Sequence, residues 1–227
     1  MINLNKLEGI LGLNNNTFLA WDSIFNEYKN ELSDVLEHEK KIKENLFWDT
    51  FTIFSDILKF FTEIGRHRDE WTEPIYRAQC NGMNAHITSK KTGSEYSFGY
   101  CDGRYFLGSS IFGTDKINRL SDEFWLNMLT LNKYGKLDFK ENYLDTVFNG
   151  VDIEKKYPTK SNLFKMLRDY LFFDFNESLL IDFGQLEVTW EEKIYWDDLI
   201  RNGAYAFDLL YKINYEIWKN NKKYSTQ

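Results

Sequence analysis

The stretch that decides the fold is Tyr96-Ser97-Phe98-Gly99-Tyr100-Cys101-Asp102-Gly103-Arg104-Tyr105-Phe106-Leu107-Gly108-Ser109. Asp-Gly between two alternating runs is a strong signal for a two-residue β-turn, because glycine accepts the positive φ that such a turn needs. Placing the turn at Asp102-Gly103 pairs Tyr100 with Tyr105, Phe98 with Leu107 and Tyr96 with Ser109. The large side chains then share one face. Glu95, Ser97, Gly99, Arg104, Phe106 and Gly108 take the other. A slip of one residue would turn the apolar set outward, so the pattern itself fixes the register.

Working outward, Lys90-Lys91-Thr92-Gly93 is a second turn. It joins the hairpin to one further strand over about Ile75 to Thr88, which brings Cys80 near Cys101. The β-rich part is thus an antiparallel meander over about 75–113. A later strand is expected from Leu179 to Trp190, with a phase shift at Gly184 that suggests a bulge.

The flanks change period. Phe18, Trp21, Ile24, Phe25, Tyr28, Leu32 and Val35 recur at spacings of three and four, as do Ile42, Leu46, Phe47, Phe51, Phe54, Leu58 and Phe61. Residues 1–73 are therefore expected to form a long helical hairpin joined near residues 36–41, with Gly65 closing its second helix. Beyond the sheet, Ser121 before Asp122 and Glu123 caps a helix. Asp138 with Glu141 resembles a capping box, and Ser161 opens another helix. A last helix is expected over about Asp197 to Asn220, with Leu199, Ala206, Leu209, Leu210, Ile213 and Trp218 inward. Helices and strands come in blocks rather than in alternation, which predicts an α+β fold. With two prolines and no Gly/Ser-rich or Pro-rich linker, residues 1–227 are expected to form a single domain.

Composition narrows the function. Aromatic residues make up 18 % of the chain, more than a chain too polar to fold would carry. The net charge is −7. It is uneven: residues 1–75 carry 8 basic and 14 acidic side chains, a net of −6. Nucleic-acid binders cluster Lys and Arg against phosphates. The linear sequence shows no such cluster, so nucleic acid is not the expected ligand, and anionic membranes are disfavoured too. The two cysteines are too few for a disulfide framework or a structural zinc site. The N-terminus lacks the basic and apolar regions of a secretory signal, and no apolar run is long enough to span a bilayer. A cytoplasmic location is expected.

Phosphate-cradling loops, dinucleotide fingerprints, nucleophile elbows and His-Glu-x-x-His spacing are all missing from the sequence. No cofactor is expected. Three constellations remain. Asp182 followed by Glu191 and Lys193 resembles the spacing of metal-dependent PD-(D/E)xK nucleases, in which two carboxylates hold a divalent ion and the lysine aids the attacking water. Arg66 and His67, with His86 nearby, would suit phosphodiester cleavage, although no Arg precedes a His at the spacing used by ribonucleases of the HEPN type. The third is the acidic-aromatic run Trp190, Glu191, Glu192, Tyr195, Trp196, Asp197 and Asp198. Such a run suits docking on a basic protein, with rings as anchors and carboxylates for steering.

Size, acidity, aromatic richness and the lack of a catalytic motif converge on a protein-binding inhibitor of the immunity-protein or antitoxin class, with a basic partner such as a toxin. The bland reading of the third constellation is that Trp190 and Trp196 are core residues and Asp197-Asp198 cap a helix. The alternatives are a metal-dependent nuclease or other nucleic-acid-processing enzyme, and an accessory subunit of a defence-type assembly.

Overall fold

The computed structural model describes residues 37–64, 67–79, 82–101, 103–111, 120–140, 184–191 and 193–224. Within them are three helices, α1 (Glu37–Ile64), α2 (Asp122–Leu131) and α3 (Trp196–Tyr224). Six strands accompany them: β1 (Ile75–Gln79), β2 (Gly82–Thr88), β3 (Glu95–Cys101), β4 (Arg104–Ile111), β5 (Lys136–Lys140) and β6 (Gly184–Glu191). All strand pairs are antiparallel, in the order β1-β2-β3-β4-β6-β5. The fold is α+β.

The decisive hairpin has the register that alternation dictates: Tyr96 opposite Ser109, Phe98 opposite Leu107, Tyr100 opposite Tyr105. Gly103 sits at φ +75°, the left-handed region that a side chain resists. On the apolar face, Ala85, Ile87, Tyr96, Phe98, Tyr100, Tyr105, Leu107, Leu186, Val188 and Trp190 are buried. The helices lie against this face. From α1, Phe54 and Phe61 meet the Phe98 ring edge-to-face at 5.6 and 5.5 Å, and Phe207 of α3 meets Tyr96 at 5.0 Å. Edge-to-face rings at these separations add to area burial because ring faces are negative and edges positive.

Helix α1 follows its periodicity: Ile53, Phe54, Ile57, Leu58, Phe60 and Phe61 are buried, while Thr52, Asp56, Lys59 and Glu63 lie toward solvent. Ser121 caps α2, its hydroxyl accepting from the Phe124 amide at 3.3 Å. Helix α3 comes close enough to α1 that a methyl group on Gly203 would stand 2.5 Å from Phe61 Cζ. It is tied to the sheet by Asn214, whose buried amide donates to Tyr96 Oη (3.1 Å) and Ser109 Oγ (2.6 Å).

Several expectations change. The single strand over 75–88 is two strands, β1 and β2. Their register closes at Gln79 opposite Gly82. Gly82 stands opposite Cys101; Cys80, expected near Cys101, lies outside the described residues. Asp138 does not open a helix. It is the middle of β5, where Leu137 and Phe139 stand opposite Val188 and Leu186, and pairing with β6 overrides the local capping pattern. In α3, Ile217 is buried where Trp218 was expected; Trp218 is half-buried. The first helix of the N-terminal hairpin, Gly65, the helix expected from Ser161 and residues 179–183 of the later strand lie outside the described residues.

Candidate functional site

The acidic-aromatic run begins inside the sheet and ends on α3. Strand β6 pairs with β4 along its length, placing Tyr105 opposite Trp190 and Arg104 opposite Glu191. Alternation therefore sends Trp190 into the core, where it is 5 % exposed. Its indole Nε1 donates to the Tyr134 carbonyl at 2.6 Å. The expected surface anchor at Trp190 is corrected: the ring is a core element, held by β-pairing and by a hydrogen bond that its burial requires.

After β6 the chain turns, the Ile194 amide donating to the Glu191 carbonyl at 3.1 Å. Helix α3 then starts, and the Leu199 amide donates to the Tyr195 carbonyl at 2.9 Å. Tyr195 is 81 % exposed. Trp196, next to it, is half-buried and packs edge-to-face on Tyr105 at 5.5 Å. Asp197 and Asp198 occupy the first turn of α3, where the free N–H groups favour negative charge. Asp198 also pairs with Arg201 at 3.5 Å on an open surface, a contact worth little by itself. Farther along, Tyr205 is exposed and stacks on Tyr134 at 5.1 Å. The region thus combines an exposed tyrosine, a firm aromatic underlayer and the carboxylates of Glu191, Asp197 and Asp198. Glu192 lies outside the described residues.

The other two constellations are not assembled by the described residues. Asp182 lies outside them, and Glu191 and Lys193 are both exposed. Arg66 also lies outside. His67 and His86 stand on opposite sides of the sheet. His67 stacks on Tyr211 of α3 at 3.8 Å, with Nε2 3.2 Å from Asp208, on the helical side. His86 lies on the other face, in register with Ser97. Proximity of these two histidines is therefore corrected, because strand alternation separates them.

Beside His67 runs a polar clamp that sequence reasoning missed. Asp69 Oδ2 accepts from Ser89 Oγ (2.5 Å) and Tyr211 Oη (2.9 Å), and Oδ1 accepts from the amides of Glu70 (2.7 Å) and Lys91 (3.1 Å). One carboxylate thereby joins the segment after α1, the β2–β3 turn and α3. Burial, and then the hydrogen bond and charge of Asp69, push the Tyr211 hydroxyl well above the ordinary tyrosine pKa. Burial raises that of Tyr96 likewise, against the hydrogen bond from Asn214. For Asp208, desolvation acts upward but is outweighed by hydrogen bonds from His67 and Lys212, so its pKa is lowered.

The second face of the sheet is buried as well. His86, Ser97, Gly108, Glu187 and Asp138 occupy one row across five strands. Asn84, His86, Ser97, Phe106, Glu187 and Thr189 are all buried. The His86 ring lies between Ser97 Oγ (3.0 Å from Nδ1) and Glu95 Oε1 (3.6 Å from Nε2). A serine, a histidine and a carboxylate in contact are the elements of nucleophilic catalysis. Here Ser97 sits mid-strand in the interior of the sheet, and the set reads as a hydrogen-bonded polar layer. The available signal was the run of Ser and Gly at alternate positions of β3 and β4, which marks close packing on that face.

Among the described residues no group of three or more His, Cys, Asp or Glu side chains is placed to hold a metal ion. No described helix is long and apolar enough to cross a membrane. No protein-family model, curated protein or solved structure matches the chain.

Proposed function

We propose that the chain is a protein-binding inhibitor of the immunity-protein or antitoxin class. It would neutralise a basic partner through the end of β6 and the start of α3. The observation that carries this reading is Tyr195, 81 % exposed at the start of a 29-residue helix. A large ring held on a fixed backbone adds contact area at low entropic cost, which is how interface hot spots are built. The underlayer of Trp196 on Tyr105, and of Trp190 bonded to Tyr134, supplies that fixity. Glu191, Asp197 and Asp198 flank the ring, and the whole chain carries −7, so a basic partner would meet an attractive field.

The test is co-purification from the native host with wild-type chain and with Tyr195→Ala/Asp197→Asn. The expected result is one basic partner, held at fixed stoichiometry by the wild type and lost by the variant, with association slowing as salt rises. Equal recovery by the variant, or recovery of no specific partner by either, overturns the reading.

A further inference from the structure

The stretch Lys219-Asn220-Asn221-Lys222-Lys223 is locally basic, and the fold adds to it to assemble a basic-aromatic surface at the far end of α3. From Tyr215 to Tyr224 the helix carries Lys219, Lys222 and Lys223 against Glu216 alone. Glu216 is turned aside, accepting from the Ser121 amide at 2.8 Å. The Asp69 clamp holds the Lys90–Thr92 turn against the same helix and adds Lys91. The Lys91 ammonium sits 4.9 Å from the Tyr215 ring centroid and 5.9 Å from that of Trp218, and Lys222 is 5.0 Å from Trp218. The nearby carboxylates are engaged elsewhere: Glu70 with Lys90 at 3.3 Å and Asp208 with Lys212 at 2.7 Å. Among the described residues Lys91, Lys219 and Lys222 have no carboxylate partner. Tyr215 and Trp218 are half-buried, while Lys219 and Lys222 are exposed.

We propose that this surface, formed by Lys91, Tyr215, Trp218, Lys219 and Lys222, binds single-stranded nucleic acid. The chemistry is that of a stacking platform edged with ammonium groups: bases lie on aromatic faces while lysines track phosphates. The ammoniums rest on the rings by weak cation–π attraction, Lys91 also donating to the Arg68 carbonyl at 3.4 Å. A phosphate draws them off and leaves the ring faces for bases. The site lies about 35 Å along α3 from Tyr195, at 1.5 Å per residue. It is independent of the docking surface proposed above, and each can fail without the other.

The experiment is fluorescence anisotropy of a labelled oligo-dT strand titrated with the full chain at low salt. Saturable binding is expected in the micromolar range, with log K falling against log salt at a slope of about −2, as roughly three phosphate contacts to a single strand imply. Trp218→Ala should weaken binding several-fold, and Lys219→Glu/Lys222→Glu by at least about tenfold. The two lysines are exposed, so the double variant keeps the inference testable even if Trp218→Ala unfolds. No binding up to about 100 µM at low salt overturns the proposal. So does equal affinity for a duplex or for a heparin oligosaccharide, since neither offers unstacked bases. Undiminished binding by the lysine double variant does the same.

Discussion

The two faces of the sheet are both withdrawn from solvent, but they are built from different chemistry. The helical face is aromatic: Phe98 is fully buried and meets rings from α1, while Tyr96 meets a ring of α3. The opposite face buries Asn84, His86, Ser97, Glu187 and Thr189. Alternation in a strand assigns residues to faces; it does not say that one face is wet. The first face is held by area and shape, which tolerate few vacancies. The second holds buried polar groups such as His86 bonded to Ser97 at 3.0 Å, so single deletions there act through the group left behind.

The largest expected effect breaks the aromatic face. Phe98→Ala should destabilise the chain by about 3–5 kcal/mol, because it empties a site enclosed by Phe54 and Phe61; chemical denaturation would measure it. On the polar face, Ser97→Ala should cost about 1–2 kcal/mol by removing the Nδ1 partner of His86. His86→Leu/Ser97→Ala should recover part of that loss, since removing both partners together spares the stranded group. A double variant worse than the sum of the singles would show the layer to be coupled further than these two residues.

Alkali separates the faces by charge. Tyr96 and Tyr211 hold their protons more tightly folded than unfolded. Unfolded tyrosines release theirs near pH 10. Above that pH the unfolded state binds fewer protons, so stability is fully present below pH 10 and falls as pH rises further. Thermal melts between neutral pH and strong alkali should show this decline, and Tyr96→Phe should flatten it. At the helix contact, Gly203→Ala sets overpacking against Phe61, about 1–3 kcal/mol, against a helix-propensity gain of about 1 kcal/mol. A net loss of about 1 kcal/mol, read as a lowered denaturation midpoint, is expected, and a gain would mean that Phe61 yields easily. The smallest effect belongs to Tyr195→Ala, within about 0.5 kcal/mol of wild type, because the ring is exposed. A larger loss would make Tyr195 a packing residue and remove its role as an anchor.

How much of this was legible depended on how local the information was. The Asp102-Gly103 hairpin, the apolar stripe of α1, the Ser121 cap and most of the inward face of α3 follow from spacings within one element. Asp138 misled because a capping pattern is weak beside pairing with β6, a strand more than forty residues away. Trp190 misled because sequence places it beside an acidic run, whereas β4 pairing places it in the core. His67 and His86 are only nineteen residues apart in number, yet the sheet runs between them.

What the sequence alone determined is periodicity within an element: the stripe of α1, the register of the hairpin, and which side chains there share a face. It determined these because side-chain direction repeats every two residues in a strand and about every 3.6 in a helix. Only the tertiary structure decided which charges meet. Asp69, Ser89 and Tyr211 become one clamp, and Lys91 joins Lys222 over Trp218, because folding brings together groups whose separation along the chain says nothing of their separation in space. Coulomb and hydrogen-bond energies depend on that second distance. An acidic sequence can therefore still present a basic face.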